Sequence, residues 1–120
     1  MLHKKLQNLR HTWNGLKIVW QEEVSFKIQI WIGFATLLFG WLFQISSSQW
    51  LAITIVAGMV LTAETFNTAL EEFCDMVKND PDPHIAKIKD LAAAAVLIST
   101  LTAVAVGVII FLPRILSFLS

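Results

Sequence analysis

Leu2, Leu6, Leu9, Trp13, Leu16 and Trp20 recur at alternating spacings of four and three. That repeat draws one apolar face along a helix. Lys4, Lys5, Arg10 and Lys17 lie mostly off this face. A basic amphipathic helix carrying tryptophans fits a membrane interface; packing against other protein helices is the alternative reading. The surface helix is expected over residues 1–25. After it the alternation gives way to continuous apolar sequence. Residues 28–45 form a first, short candidate span, with Trp41, Gln29 and Gln44 near its interfaces. Residues 46–49 make an uncharged turn. Residues 50–77 read as one long helix, apolar at first and then progressively acidic. Asn79, Asp80, Pro81, Asp82 and Pro83 break it. A third span covers 91–112 and is expected to end at Pro113. Its alanines at 92–95 offer a smooth surface for a neighbouring helix. The expected fold is an all-α membrane protein: one surface helix and three transmembrane helices, in a single domain over residues 1–120.

Composition agrees. The chain is 56% hydrophobic and 15% charged, with a mean hydropathy of +0.65. Net charge is zero, but its distribution is informative. Lys4, Lys5, Arg10, Lys17 and Lys27 precede the first span, Lys78, Lys87 and Lys89 follow the second, and Arg114 stands on the other side. The positive-inside rule puts the N-terminus and the second loop in the cytoplasm. No basic groove-sized patch is present, so a nucleic-acid partner is not expected. Cys74 is the lone cysteine, which rules out an internal disulfide. His3, His11 and His84 are scattered rather than clustered. The charged opening residues do not resemble a signal peptide.

The candidate chemistry lies in the second span. Glu64, Asn67, Glu71 and Asp75 follow one another at spacings of three, four and four, which lines them along one helix face. With Trp50 at the outer interface, Glu64 lies roughly 21 Å along the helix at about 1.5 Å per residue. That is inside a hydrocarbon core about 30 Å thick, near its cytoplasmic edge. An intramembrane carboxylate costs on the order of 3 kcal/mol, so something must offset it. A hydrogen bond to a neighbouring helix is one possibility. A phosphotransferase acting on a lipid alcohol is the other: its base must reach the bilayer edge, and its metal ligands must stand nearer water. Glu71 suits Mg²⁺, which takes oxygen ligands, and Glu64 suits a general base.

Two further clusters face the same side. Glu22 and Glu23 close the surface helix, and one of them is placed to supply a second metal ligand; ordinary solvated charge is the alternative. Lys89 and Asp90 open the third span, Lys89 placed for phosphates and Asp90 for a nucleotide or protein donor. An acid at a helix start beside a snorkelling lysine is the plain alternative. Neither a Walker-type phosphate loop nor a glycine-rich kinase loop is present. Any phosphoryl transfer must then be run by carboxylates, metal and lysine on helices. The rival from another class is a non-enzymatic bundle that handles protons or ions through Glu64.

Glu64-Thr-Phe-Asn67-Thr-Ala-Leu-Glu71, then Asp75, then Lys89-Asp90 with its alanines, resembles the prokaryotic diacylglycerol kinase family, which includes the undecaprenol kinases. The nineteen residues from Glu71 to Asp90 match the family's spacing. Upstream, Trp13-Asn-Gly15-Leu16, Trp20, Glu23 and Phe26 are similar to its W-x-G-L…W…E-x-x-F segment. The resemblance implies a homotrimer with active sites between subunits, in the bacterial plasma (inner) membrane. It also implies Glu64 as general base positioned by Asn67, Glu23 and Glu71 holding Mg²⁺ with ATP, Lys89 on phosphates and Asp90 on the nucleotide. His11, Asp80 and Asp82 fall at nucleotide positions, and Phe26, Gln29 and Glu64 border the lipid. Lys4 and His11 stand where the best-known diacylglycerol kinases have Arg and Tyr. At Gln29 those kinases carry Glu and the undecaprenol kinases His. Residues 109–114, Ile-Ile-Phe-Leu-Pro-Arg, resemble the undecaprenol type. Diacylglycerol and undecaprenol both present a primary hydroxyl and both remain open as substrate.

Overall fold

In the computed structural model, which describes residues 1–77 and 80–120, the chain forms four helices. Lys78 and Asn79, used above in the charge asymmetry and the helix break, lie outside the described residues. The helices are α1 (Leu2–Glu22), α2 (Val24–Leu42), α3 (Ser47–Val77) and α4 (Pro83–Leu119). The last three are long and apolar enough to cross a membrane. The nineteen residues of α2 span about 28 Å, close to the hydrocarbon thickness of about 30 Å. α3 and α4 are longer, and their surplus turns carry the polar residues out of the apolar layer.

α1 and α2 meet at a single non-helical residue. Glu23 adopts φ −111° and ψ 107°, ending one ladder and starting the next. Its N–H donates to the Val19 carbonyl at 3.0 Å, and its own carbonyl accepts from Lys27 at 3.4 Å. Val19 and Phe26, on either side of this elbow, are buried. The Lys27 ammonium lies 5.7 Å from the centre of the Trp20 ring, a cation–π contact that bridges the bend. The apolar face of α1, with Leu2, Leu9 and Trp13, is exposed on the chain, as an interfacial helix requires.

The turn between α2 and α3 is built by a left-handed residue. Gln44 has φ 52°, and Ile45 N–H reaches back to the Gly40 carbonyl while Gln44 N–H reaches Trp41. This pair of bonds is a Schellman closure of the helix. Gly40 leaves room for α3 to begin alongside: a Cβ there would lie 2.5 Å from a ring carbon of Trp50 and 3.1 Å from Ile45. The same end is clamped by Arg114 from α4. Its guanidinium donates to the Phe43 carbonyl and to Gln49 Oε1, each at 2.8 Å, satisfying a carbonyl at the close of α2. Ile45, Ile53 and Ile110 form the buried cluster beneath.

α4 packs most extensively on α3 and runs antiparallel to it, since Arg114 meets Gln49 at one end while Lys89 meets Asp75 at the other. It starts on an Asp82 cap, whose side chain accepts from His84 N–H at 2.8 Å, with Pro83 in its first turn. Contrary to the sequence expectation, Pro113 does not end it: the helix continues to Leu119. Proline removes one N–H and crowds one carbonyl. The Arg114 clamp and the edge-on contact of Phe111 with Phe43 hold α4 in register across that gap.

The four helices form a slab only 21 Å thick along its shortest axis. Large apolar side chains such as Trp31, Phe34, Leu97 and Ile109 are exposed on it, faces suited to lipid or to other subunits. Gly40→Ala should push Trp50 off α2 and lower stability by roughly 1–3 kcal/mol, the usual cost of overpacking. Thermal unfolding of the detergent-solubilised variant checks this, and an unchanged melting temperature would contradict it.

Candidate active site

The inner face of α3 carries Val60, Glu64, Asn67, Glu71 and Cys74 at helical spacing. Val60, Glu64 and Cys74 are buried, and Asn67 and Glu71 half-buried. The polar stripe therefore faces protein, not lipid. Glu64 is 4% exposed, and it is the one charged side chain buried among the described residues. Its carboxylate meets no hydrogen-bond donor from those residues. The bond at this position involves its backbone instead: Thr68 Oγ1 donates to the Glu64 carbonyl at 3.0 Å. An unpaired buried charge is costly, and the purely structural reading, a glutamate bonded to a neighbouring helix, finds no partner among the described residues.

Glu23 and Glu71 are the two charges that act on Glu64. The elbow between α1 and α2 thus brings a residue from the surface helix to the stripe on α3. Asn67 joins this group through Glu71 rather than Glu64: its Nδ2 donates to Glu71 Oε1 at 3.2 Å. Its Oδ1 is buried without a partner among the described residues. One turn beyond Glu71, Asp75 Oδ1 accepts from Lys89 Nζ of α4 at 2.9 Å. Glu71 is also within electrostatic range of Lys89.

The structure thus brings together Glu23, Glu64, Asn67, Glu71 and Lys89. Among the described residues, no hydrogen bond or ion pair joins His11, Asp80, Asp90, Phe26 or Gln29 to this group. His11 is exposed on α1, Asp80 exposed in the α3–α4 connection, and Asp90 exposed beside Lys89. Asp82 is engaged in capping α4. Phe26 is buried just past the elbow and Gln29 half-buried one turn on. Two links escaped the sequence reading: the Asn67–Glu71 bond, visible in principle from its spacing of four residues, and the Asp75–Lys89 bridge, which needs the register of two helices.

No group of three or more His, Cys, Asp or Glu among the described residues is arranged to hold a metal by itself. The donor chemistry nonetheless fits Mg²⁺ bound with a nucleotide, which takes one or two carboxylates plus phosphate oxygens and water. Glu71, held from one side by Asn67, and Glu23 in the elbow are carboxylates of that kind.

The family model for prokaryotic diacylglycerol kinase matches residues 10–111, a stretch that includes every residue of this group. The chain is similar to an undecaprenol kinase of Bacillus subtilis, 27% identical over 94% of this chain and 92% of that protein. It is 30% identical to a diacylglycerol kinase of Synechocystis, over 95% of this chain and 66% of the relative. A diacylglycerol kinase of Escherichia coli is 28% identical over 78% of this chain and 77% of that protein.

The geometry alone makes one prediction. Glu64→Gln removes a desolvated charge that no donor among the described residues supports, so the variant should unfold a few degrees higher than the parent in detergent at neutral pH. A clearly lower melting temperature would mean that Glu64 holds the bundle together.

Proposed function

Because the chain belongs to the prokaryotic diacylglycerol kinase family, we propose that Glu23, Glu64, Asn67, Glu71 and Lys89 form the centre at which it transfers phosphate to a lipid. The chain is an ATP-dependent lipid kinase and a multi-pass membrane protein. Its acceptor is the primary hydroxyl of diacylglycerol or undecaprenol. The observation that carries the site assignment is Glu64, a carboxylate buried without a donor on the same helix face as the more exposed Glu71.

Glu64 takes the proton from the lipid hydroxyl as that oxygen attacks the γ-phosphorus of ATP. The bond to the bridging oxygen breaks, ADP leaves with its electron pair, and the proton passes from Glu64 to water. Burial of Glu64 at the level of the lipid head group keeps competing water from the attacking position. Glu23 and Glu71 hold Mg²⁺, which when bound neutralises charge on the phosphates. Asn67 orients Glu71 and offers its free Oδ1 to the reactants. Lys89 contacts the phosphates and Asp90 the nucleotide, with His11, Asp80 and Asp82 bordering it. Phe26 and Gln29 line the lipid side.

The bare apolar faces of α2 and α4 support assembly as a homotrimer with the sites between subunits. The excess of lysine and arginine on one side supports a cytoplasmic N-terminus and active site, in the bacterial plasma membrane.

Glu64→Gln should reduce turnover by at least about a hundredfold, the lower range for loss of a general base, in protein that remains folded. Turnover close to the parent's would remove Glu64 from the chemistry. Glu71→Gln should raise KM for Mg-ATP while KM for lipid stays near the parent value, and unchanged nucleotide kinetics would remove Glu71 from the metal site.

A further inference from the structure

Asp75 has no part in the chemistry above, yet it carries the contact that fixes Lys89. It stands one turn beyond Glu71 on α3, and its Oδ1 accepts from Lys89 Nζ of α4 at 2.9 Å. That is the one hydrogen bond Lys89 makes among the described residues. The two side chains are 42% and 63% exposed. Exposed ion pairs add little to folding, and α3 and α4 are already joined by extensive apolar packing, so the bridge is not what holds them together. Its effect falls on the lysine. A lysine side chain has four carbons and many rotamers, and a free one would sweep a wide arc of solvent at this membrane edge. The bridge draws the ammonium to α3, one turn along that helix from Glu71. An ammonium has three N–H donors, so one bond to Asp75 leaves two for phosphate oxygens.

We infer that Asp75 is a positioning residue for ATP: it holds the Lys89 ammonium one turn along α3 from Glu71 before nucleotide arrives, so that phosphate binding need not order the side chain. This rests on the reading of Lys89 as a phosphate contact. Preorganisation of one long side chain is worth roughly three- to tenfold in affinity. The effect belongs to nucleotide binding, since Asp75 touches no reacting atom.

The test is a set of full-length variants in mixed micelles: Asp75→Asn, Asp75→Glu, Lys89→Met and the Asp75→Asn/Lys89→Met double variant. Each is assayed for kcat, KM for ATP and KM for lipid, and for nucleotide affinity by equilibrium binding of ATP. Asp75→Asn should raise KM and Kd for ATP roughly three- to tenfold, with kcat and KM for lipid within about twofold of the parent. Asp75→Glu should recover most of the loss. In the Lys89→Met background Asp75→Asn should add nothing, the signature of two residues acting as one unit. If Lys89→Met binds ATP as the parent does, the phosphate role of Lys89 fails and the proposal falls with it. If Lys89→Met is impaired but Asp75→Asn is not, or the two losses multiply, the proposal alone is overturned. Tighter ATP binding in Asp75→Asn would also overturn it, because Asp75 would then be competing with phosphate for the lysine.

Discussion

Glu64 takes a carboxylate out of water into a helix face made otherwise of Val60, Cys74 and half-buried neighbours, and most of the architecture can be read from what that charge requires. On the proposed function it must be reached by a substrate from the lipid side and by a nucleotide from the aqueous side. α3 meets both needs by being longer than the membrane core: its apolar half anchors it, and its last turns carry Glu71 and Asp75 toward water. α1 ends in the elbow that holds Glu23. α4 returns along α3 and brings Lys89 to Asp75, one turn beyond Glu71. The far end, with Gly40, Trp50 and Arg114, does no chemistry, but it fixes the register on which that level depends.

The arrangement also separates the two readings that a single intramembrane glutamate leaves open. A bundle that only handled protons would have no use for a cationic side chain held beside the carboxylates. A structural glutamate would show a donor. Here the carboxylate has no donor among the described residues, Asn67 leaves a buried oxygen unpartnered, and a lysine is held by Asp75 on the same helix. A buried amide oxygen without a partner, one turn from a buried carboxylate without a donor, fits the site proposed above. The family match over residues 10–111 agrees with the kinase.

Much of this was legible in the sequence because it depends on periodicity. The spacing of Glu64, Asn67 and Glu71 sets their common face whatever they pack against, and the apolar runs set the helices. What was not legible depends on tertiary context. The end of the amphipathic repeat placed the close of α1 at Glu22 and Glu23, but with no glycine or proline there the sequence did not show that α2 resumes after a single residue. Pro113 signals a helix end locally, yet contacts from α2 and the following turn carry the helix through. Asn67 was expected to serve Glu64, and its hydrogen bond goes to Glu71, because on a helix the residue four positions on is within easier reach of that amide. The bridge from Asp75 to Lys89 crosses between helices and could be found only once their register was known.

The most direct test of the central claim is the fate of the γ-phosphate. Purified protein in mixed micelles is given ATP labelled in that position, with diacylglycerol and undecaprenol offered side by side. The account predicts that the label appears in phosphatidic acid or undecaprenyl phosphate in step with ADP formation. Label released only as inorganic phosphate, or no transfer to either lipid by folded protein, would contradict it.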